Sequence, residues 1–285
     1  MNPVTVAEVR AHIAFLRAVH VSSSRGEGSL LADGTRLRAA VRAYIPWLAF
    51  HAARASNGRA VLVERAPPLD AAWIWHVHRL DSRDYARTCA AFGAFVAPAP
   101  GVGFAASDSV ATPAAIDDGK ATEHELVAAV IRHAGFLWQV SGAAYNDDAF
   151  LERAIARYER FVTLCASSNG GLLSPPYDVD LVWHTHILRG ADYAAESAAM
   201  CGGKRGALDH DNSEGMSGGP LLDAAWSRTL SVWKGPGEDD DPKLAVLPSG
   251  AQRRGEPPPW WFGSGDDVLV VDGFLDAAEI AAIIE

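Results

Sequence analysis

Four histidines stand in two Trp-His-x-His motifs: His76 and His78 follow Trp75, and His184 and His186 follow Trp183. Imidazole is a common zinc ligand, and an aspartate precedes each motif, Asp70 and Asp178. A zinc or iron site could therefore be assembled from both copies, with His76, His78, His184 and His186 as candidate ligands. Within one copy the spacing argues against chelation. On a strand, His-x-His puts both rings on one face. On a helix, two steps of about 100° send them to nearly opposite faces. The helical reading is favoured by Pro67-Pro68-x-Asp70 and Pro175-Pro176-x-Asp178. Proline fits a first helical turn, and a carboxylate two residues on suits the positive end of the helix dipole.

On such helices Ala71, Ile74, Trp75 and His78 share one face, and Val179, Val182, Trp183 and His186 share its counterpart. These faces are expected to point inward. His78 and His186 are then the buried pair, hydrogen-bonded to a carboxylate or carbonyl of the next helix, and His76 and His184 the more exposed pair. Trp75 and Trp183 are expected in the core with their indole N–H groups partnered. Tyr85 and Tyr193 read as packing or hydrogen-bonding residues rather than catalytic ones.

The motifs belong to a longer repeat. Residues 67–86 and 175–194, shifted by 108 (175 − 67), agree at 10 of 20 positions. Upstream, 132–140 (RHAGFLWQV) echoes 11–19 (AHIAFLRAV), with His133 matching His12; 150–166 echoes the stretch around Tyr44, with Tyr158 matching it. The offsets fall from 121 to 114 to 108 (132 − 11, 151 − 37, 175 − 67), so loops change while helices are kept. The pattern predicts an all-α fold of two tandem, roughly four-helix units that pack through their Trp-His-x-His helices. The expected organisation is a first unit at 1–97, a linker at 98–119, a second unit at 120–203, an acidic and Pro/Gly-rich tail with one helix at 204–265, and the start of a further domain at 266–285.

Local signals refine this. Apolar spacing gives helices over 5–20 and 36–55, the second with Asp33 as cap and with Pro46 expected to kink or split it. Residues 61–63 read as a short strand or extended loop. Asp81-x-x-Asp84 opens a helix ending near Gly93, and 221–233 reads as one amphipathic helix. Asp209 and Asp211 flank His210 in a stretch that could bind a cation but reads better as a solvated acidic loop.

Composition narrows the function classes. The net charge of −10 disfavours nucleic acid or an anionic membrane as partner. No run of apolar residues is long enough for a membrane span. Three cysteines, Cys89, Cys165 and Cys201, form no close pair and suit a reducing compartment, cytoplasmic or nuclear. The nucleophile-elbow, P-loop and dinucleotide-binding patterns are lacking. The expectation is a non-enzymatic interaction or regulatory module with a protein partner and no cofactor. The alternative is a metal-dependent enzyme built on the repeated histidines.

The segments PPLD, AWIWHVHRL with Tyr85, NDDAFLERAIARYERF at 146–161, PPYDVDLVWHTHIL with Tyr193, and LDHDNS at 208–213 resemble the plant and fungal glycine-rich domain-containing protein-like family. The resemblance spans about residues 5–233. It implies a helical module whose plant members are linked to development and stress responses, some with an RNA-binding or glycine-rich tail that this sequence does not show. The last twenty residues, 266–285, resemble the opening of a 2-oxoglutarate- and iron-dependent dioxygenase domain, without the histidines its iron site needs. A helix has barely begun at Glu285, so the sequence reads as a fragment whose continuation could carry that domain.

Overall fold

The computed structural model describes residues 3–23, 28–54, 59–104, 106, 120–168, 172–201, 208, 210 and 220–233. The fold is mainly helical. In chain order it runs α1 (Val6–Ser23), α2 (Thr35–Ala52), β1 (Val61–Val63), α3 (Leu69–Leu80), α4 (Ser82–Phe92), β2 (Val96–Pro98), α5 (Lys120–Gln139), α6 (Asp148–Ser167), α7 (Tyr177–Ile187), α8 (Ala191–Met200) and α9 (Pro220–Val232). A turn of 3-10 helix, Ala143–Asn146, precedes α6. Most of the 204–265 tail, and all of 266–285, lie outside the described residues. No helix among the described residues is long and apolar enough to cross a membrane.

Helix boundaries follow local chemistry. Pro68 and Pro176 are the cap residues of α3 and α7, so each helix begins one residue after its proline, with Asp70 and Asp178 in the first turns. Asp81 caps α4 by accepting from the Asp84 N–H. Asp33 does not cap α2. Gly34 holds that position without a side-chain bond, and Asp33 pairs with Arg38 instead. Nor does Pro46 split α2, which runs unbroken across it with Pro46 buried. The ring costs α2 one backbone donor, and packing of its apolar face outweighs that loss.

β1 and β2 pair in parallel, Val61 with Val96 and Val63 with Pro98. The second strand runs into the start of the stretch expected to be a linker. Gly93, which ends α4 on the way to it, has φ +137°. A Cβ there would meet the Ala52 carbonyl oxygen at 2.8 Å, so this turn requires glycine.

The packing adds to the expected join. α3 and α7 touch, but the first helix of each half crosses to the other half: α5 lies against α2 and α3, and α1 against α6 and α7. Polar contacts follow the exchange. Arg10 of α1 bonds Asp148 of α6 at 2.5 Å, and Arg189 after α7 bonds Glu8 of α1 at 2.8 Å. Arg42 of α2 reaches Glu123 of α5 at 3.4 Å. Apolar periodicity marks α1 and α5 as amphipathic but says nothing of which partner each covers. A single buried cluster runs through both halves, from Val9 and Leu16 to Leu137 and Val182.

Candidate functional site

In the first copy, the motif residues bind neighbouring elements. Asp70 in the first turn of α3 takes a two-pronged bond from Arg36 of α2, at 2.9 and 2.8 Å. The Trp75 indole N–H donates to the Tyr85 hydroxyl of α4 at 2.8 Å, and that hydroxyl donates to the Val96 carbonyl of β2 at 2.5 Å. His78 lies between the Tyr44 hydroxyl, 2.9 Å from Nδ1, and the Asp84 carboxylate, 3.1 Å from Nε2. The bond from His78 holds the Asp84 carboxyl down at about 2.

The second copy makes the same set of bonds with different loops. Arg157 of α6 bonds Asp178 at 2.7 Å, and both side chains are buried. Burial pushes the Asp178 carboxyl up, and the guanidinium opposes that shift. Trp183 donates to Tyr193 at 2.8 Å, and Tyr193 donates to the Leu208 carbonyl at 2.7 Å. His186 meets the Tyr158 hydroxyl at 2.7 Å and Glu196 at 3.0 Å. Desolvation lowers the His186 pKa, so the ring is neutral near pH 7. Glu196 also accepts from Arg189. In both copies the second histidine is thus held between helices two and four of the motif's own half.

The first histidines correct the expectation of exposure. His76 and His184 are as buried as His78 and His186, with relative exposures of 0% and 2% against 3% and 2%. Each helix is covered on both sides: α2 and α4 take one face of α3, and α6, with α8 through the Trp183–Tyr193 and His186–Glu196 bonds, takes one face of α7, while the exchanged first helices close the other. His76 lies 4.9 Å from the His12 ring and 5.6 Å from His133, between Phe15 and Trp73. Neither of its ring nitrogens has a protein partner. Desolvation first, then neighbouring imidazoles, keep His12 and His76 well below the ordinary histidine pKa, and desolvation takes His133 to about 3. All three rings are neutral at pH 7. His12 Nδ1 meets the Thr185 hydroxyl at 2.9 Å, and that hydroxyl donates to the Leu181 carbonyl. Its proton being committed, Thr185 accepts from His12.

The four motif histidines do not converge on one point, and no His-x-His pair acts as a chelate. His184 instead joins two residues that the motif comparison missed. Its Nε2 lies 2.8 Å from His210 Nε2 and 3.3 Å from Asp180 Oδ1, and His210 Nε2 is also 3.3 Å from that oxygen. Among the described residues these three form a group able to hold a metal ion. Asp180 was legible as an acid four residues before His184, one turn along the same face. His210 stood within the LDHDNS segment, and that stretch read as a solvated loop; the His210 ring itself is partly buried, with Trp183 packed edge-on at 4.8 Å. The Tyr193 bond to Leu208 anchors the backbone two residues before it. Burial and the His210 ring hold His184 well below its ordinary pKa, leaving a ring lone pair available at pH 7.

Cys89, Cys165 and Cys201 are buried in the core and are not joined in disulfides. Arg79 is a buried cation whose guanidinium donates to the Leu188 and Gly103 carbonyls and stacks 4.4 Å from the Trp75 ring. Desolvation lowers its pKa to about 10, so it stays charged.

Residues 104–196 match the family model described as glycine-rich domain-containing protein-like. The chain is 30% identical to glycine-rich domain-containing protein 2 of Arabidopsis thaliana over 80% of its length. It is 30% identical to glycine-rich domain-containing protein 1 of the same plant over 94% of its length. No solved structure gives a significant match. The chain spans about a third of the length of these curated relatives, 32% and 35%. Family model and relatives point the same way: the chain's similarity is to the glycine-rich domain-containing protein-like family.

Proposed function

We propose that this chain is a helical module of the glycine-rich domain-containing protein-like family, acting as a non-enzymatic interaction or regulatory domain within a longer protein. One observation carries the reading. In both copies the second motif histidine, the tryptophan, the tyrosine and the leading aspartate spend their polar groups on one another and on neighbouring helices. The histidine, tryptophan and tyrosine bonds recur in both copies, and a buried polar network of this kind rigidifies a fold and fixes its geometry, although Asp178 Oδ1 and the Arg157 terminal nitrogens have no hydrogen-bond partner. It leaves those groups little capacity for substrate. The relatives' greater length supports a part within a larger chain.

The partner is a protein with a basic face, since the chain carries a net charge of −10. Cross-linking and mass spectrometry on the tagged chain, expressed in its own cells, tests this. The expected result is a stoichiometric protein partner that rebinds the purified chain and is released by salt. A purified chain that turns over a substrate in an activity screen, with turnover lost on chelation, overturns the reading in favour of a metal-dependent enzyme.

A further inference from the structure

The second Trp-His-x-His copy differs from the first at one place in a way that creates chemistry. Shifting by 108 (180 − 72) sets Asp180 against Ala72 and His184 against His76. The tyrosine bonds set the other match. Tyr193 donates to Leu208, with His210 two residues on, while Tyr85 donates to Val96, with Pro98 two residues on. The first copy therefore offers alanine, histidine and proline where the second offers aspartate, histidine and histidine. The framework bonds are common to both copies, so the extra donor atoms of the second are not needed to build the helices.

We infer that Asp180, His184 and His210 bind a divalent first-row transition-metal ion, zinc being the expected occupant. Around a tetrahedral ion with bonds of about 2.0–2.1 Å, ligand atoms lie about 3.3 Å apart. The three atoms here are separated by 2.8, 3.3 and 3.3 Å. Without a cation, a single N–H must serve both the facing imidazole nitrogen and the carboxylate oxygen. Two imidazole nitrogens and a carboxylate oxygen face a common point, and one N–H between the rings leaves a nitrogen lone pair turned toward an anionic oxygen. An ion at that point takes all three lone pairs. Two imidazoles and one carboxylate suit zinc or ferrous iron rather than calcium or magnesium, which prefer all-oxygen sets.

The site joins two separated pieces of chain. Asp180 and His184 lie one turn apart on α7, and His210 comes from the segment beyond α8. A bound ion would fasten His210 to α7, alongside the Tyr193–Leu208 bond. Three protein ligands also leave a fourth position open to water or to a donor from elsewhere.

The test is metal content and zinc titration of the whole chain, purified without chelator and offered zinc, ferrous iron and manganese in separate arms. One tightly held equivalent is expected, with zinc preferred. Asp180→Asn and His210→Ala keep the core histidine and should each lower zinc affinity by at least about tenfold, while His76→Gln leaves it unchanged. X-ray absorption on the wild-type zinc form should show two imidazoles among the ligands, a readout that needs no variant to fold. No binding at micromolar metal, or binding unaffected by both ligand substitutions, overturns the inference. Preference for iron would replace zinc as occupant and refute that part alone. Failure here leaves the interaction-module reading intact, whereas metal-dependent turnover sinks that reading and keeps the site.

Discussion

The Nε2 atoms of His184 and His210 face each other at 2.8 Å, across 26 residues of sequence (210 − 184). The partner ring on the next motif position, His186, turns the other way, to Tyr158 and Glu196. One short helix thus sends two histidines to two different environments. The first faces a group with metal-binding chemistry, and the second is locked into the framework.

The Trp–Tyr–carbonyl chains give the first prediction. Tyr193→Phe removes the acceptor for the Trp183 indole and the donor to the Leu208 carbonyl, with no loss of ring packing. Leaving a buried indole N–H unpaired costs about 1–3 kcal/mol, and Tyr85→Phe should behave alike. Urea unfolding midpoints measure both losses. Wild-type midpoints for both variants count against the framework.

The two Arg–Asp pairs should differ in worth. Arg157 and Asp178 are both buried, whereas the Asp70 side chain of the Arg36 pair is 37% exposed. Removing one partner of a buried pair strands a charge and costs about 3–5 kcal/mol. Arg157→Ala should therefore destabilise more than Arg36→Ala, as read by thermal melts. The reverse order refutes this ranking by burial.

Acid should destabilise the fold between neutral pH and pH 5. His12, His76 and His133 have folded-state pKa values below the ordinary 6.5. Their unfolded forms bind protons first, so the stability they contribute is complete above about pH 6.5 and is lost as pH falls toward their folded values. One such ring contributes a loss of about 2 kcal/mol by pH 5, and the coupled rings need not add. Urea melts at pH 7.5 and 5 should show the fall, and a His76→Phe variant that folds should show a smaller one. A pH-independent midpoint contradicts neutral burial.

The exchanged helices predict that 1–97 does not fold alone. In the whole chain α5 covers α2 and α3, and α1 lies on α6 and α7. The isolated segment should expose the apolar faces left by α5 and melt without cooperativity in far-UV circular dichroism. A sharp transition would show that α1 can close its own half.

The sequence by itself determined the helices and the framework. Tryptophan, histidine, tyrosine and aspartate recur at fixed spacing, and the proline pairs and Asp81 mark the helix starts because those signals are local. Placing His76 and His78 on different faces needed only the helical period. Tertiary structure decided what lay on each face. The period says that a stripe of α1 or α5 is apolar, but not which half it covers, so the crossing was hidden and the burial of His76 and His184 with it. β2 was missed because it runs into the Ala/Pro/Gly-rich stretch read as a linker, whereas the three valine and leucine residues of β1 stood out. Asp180 was one turn from His184 in plain view, yet its meaning depended on His210, where the first copy has Pro98. That contact is closed by chain folding beyond α8, and no local rule of sequence spacing reaches it.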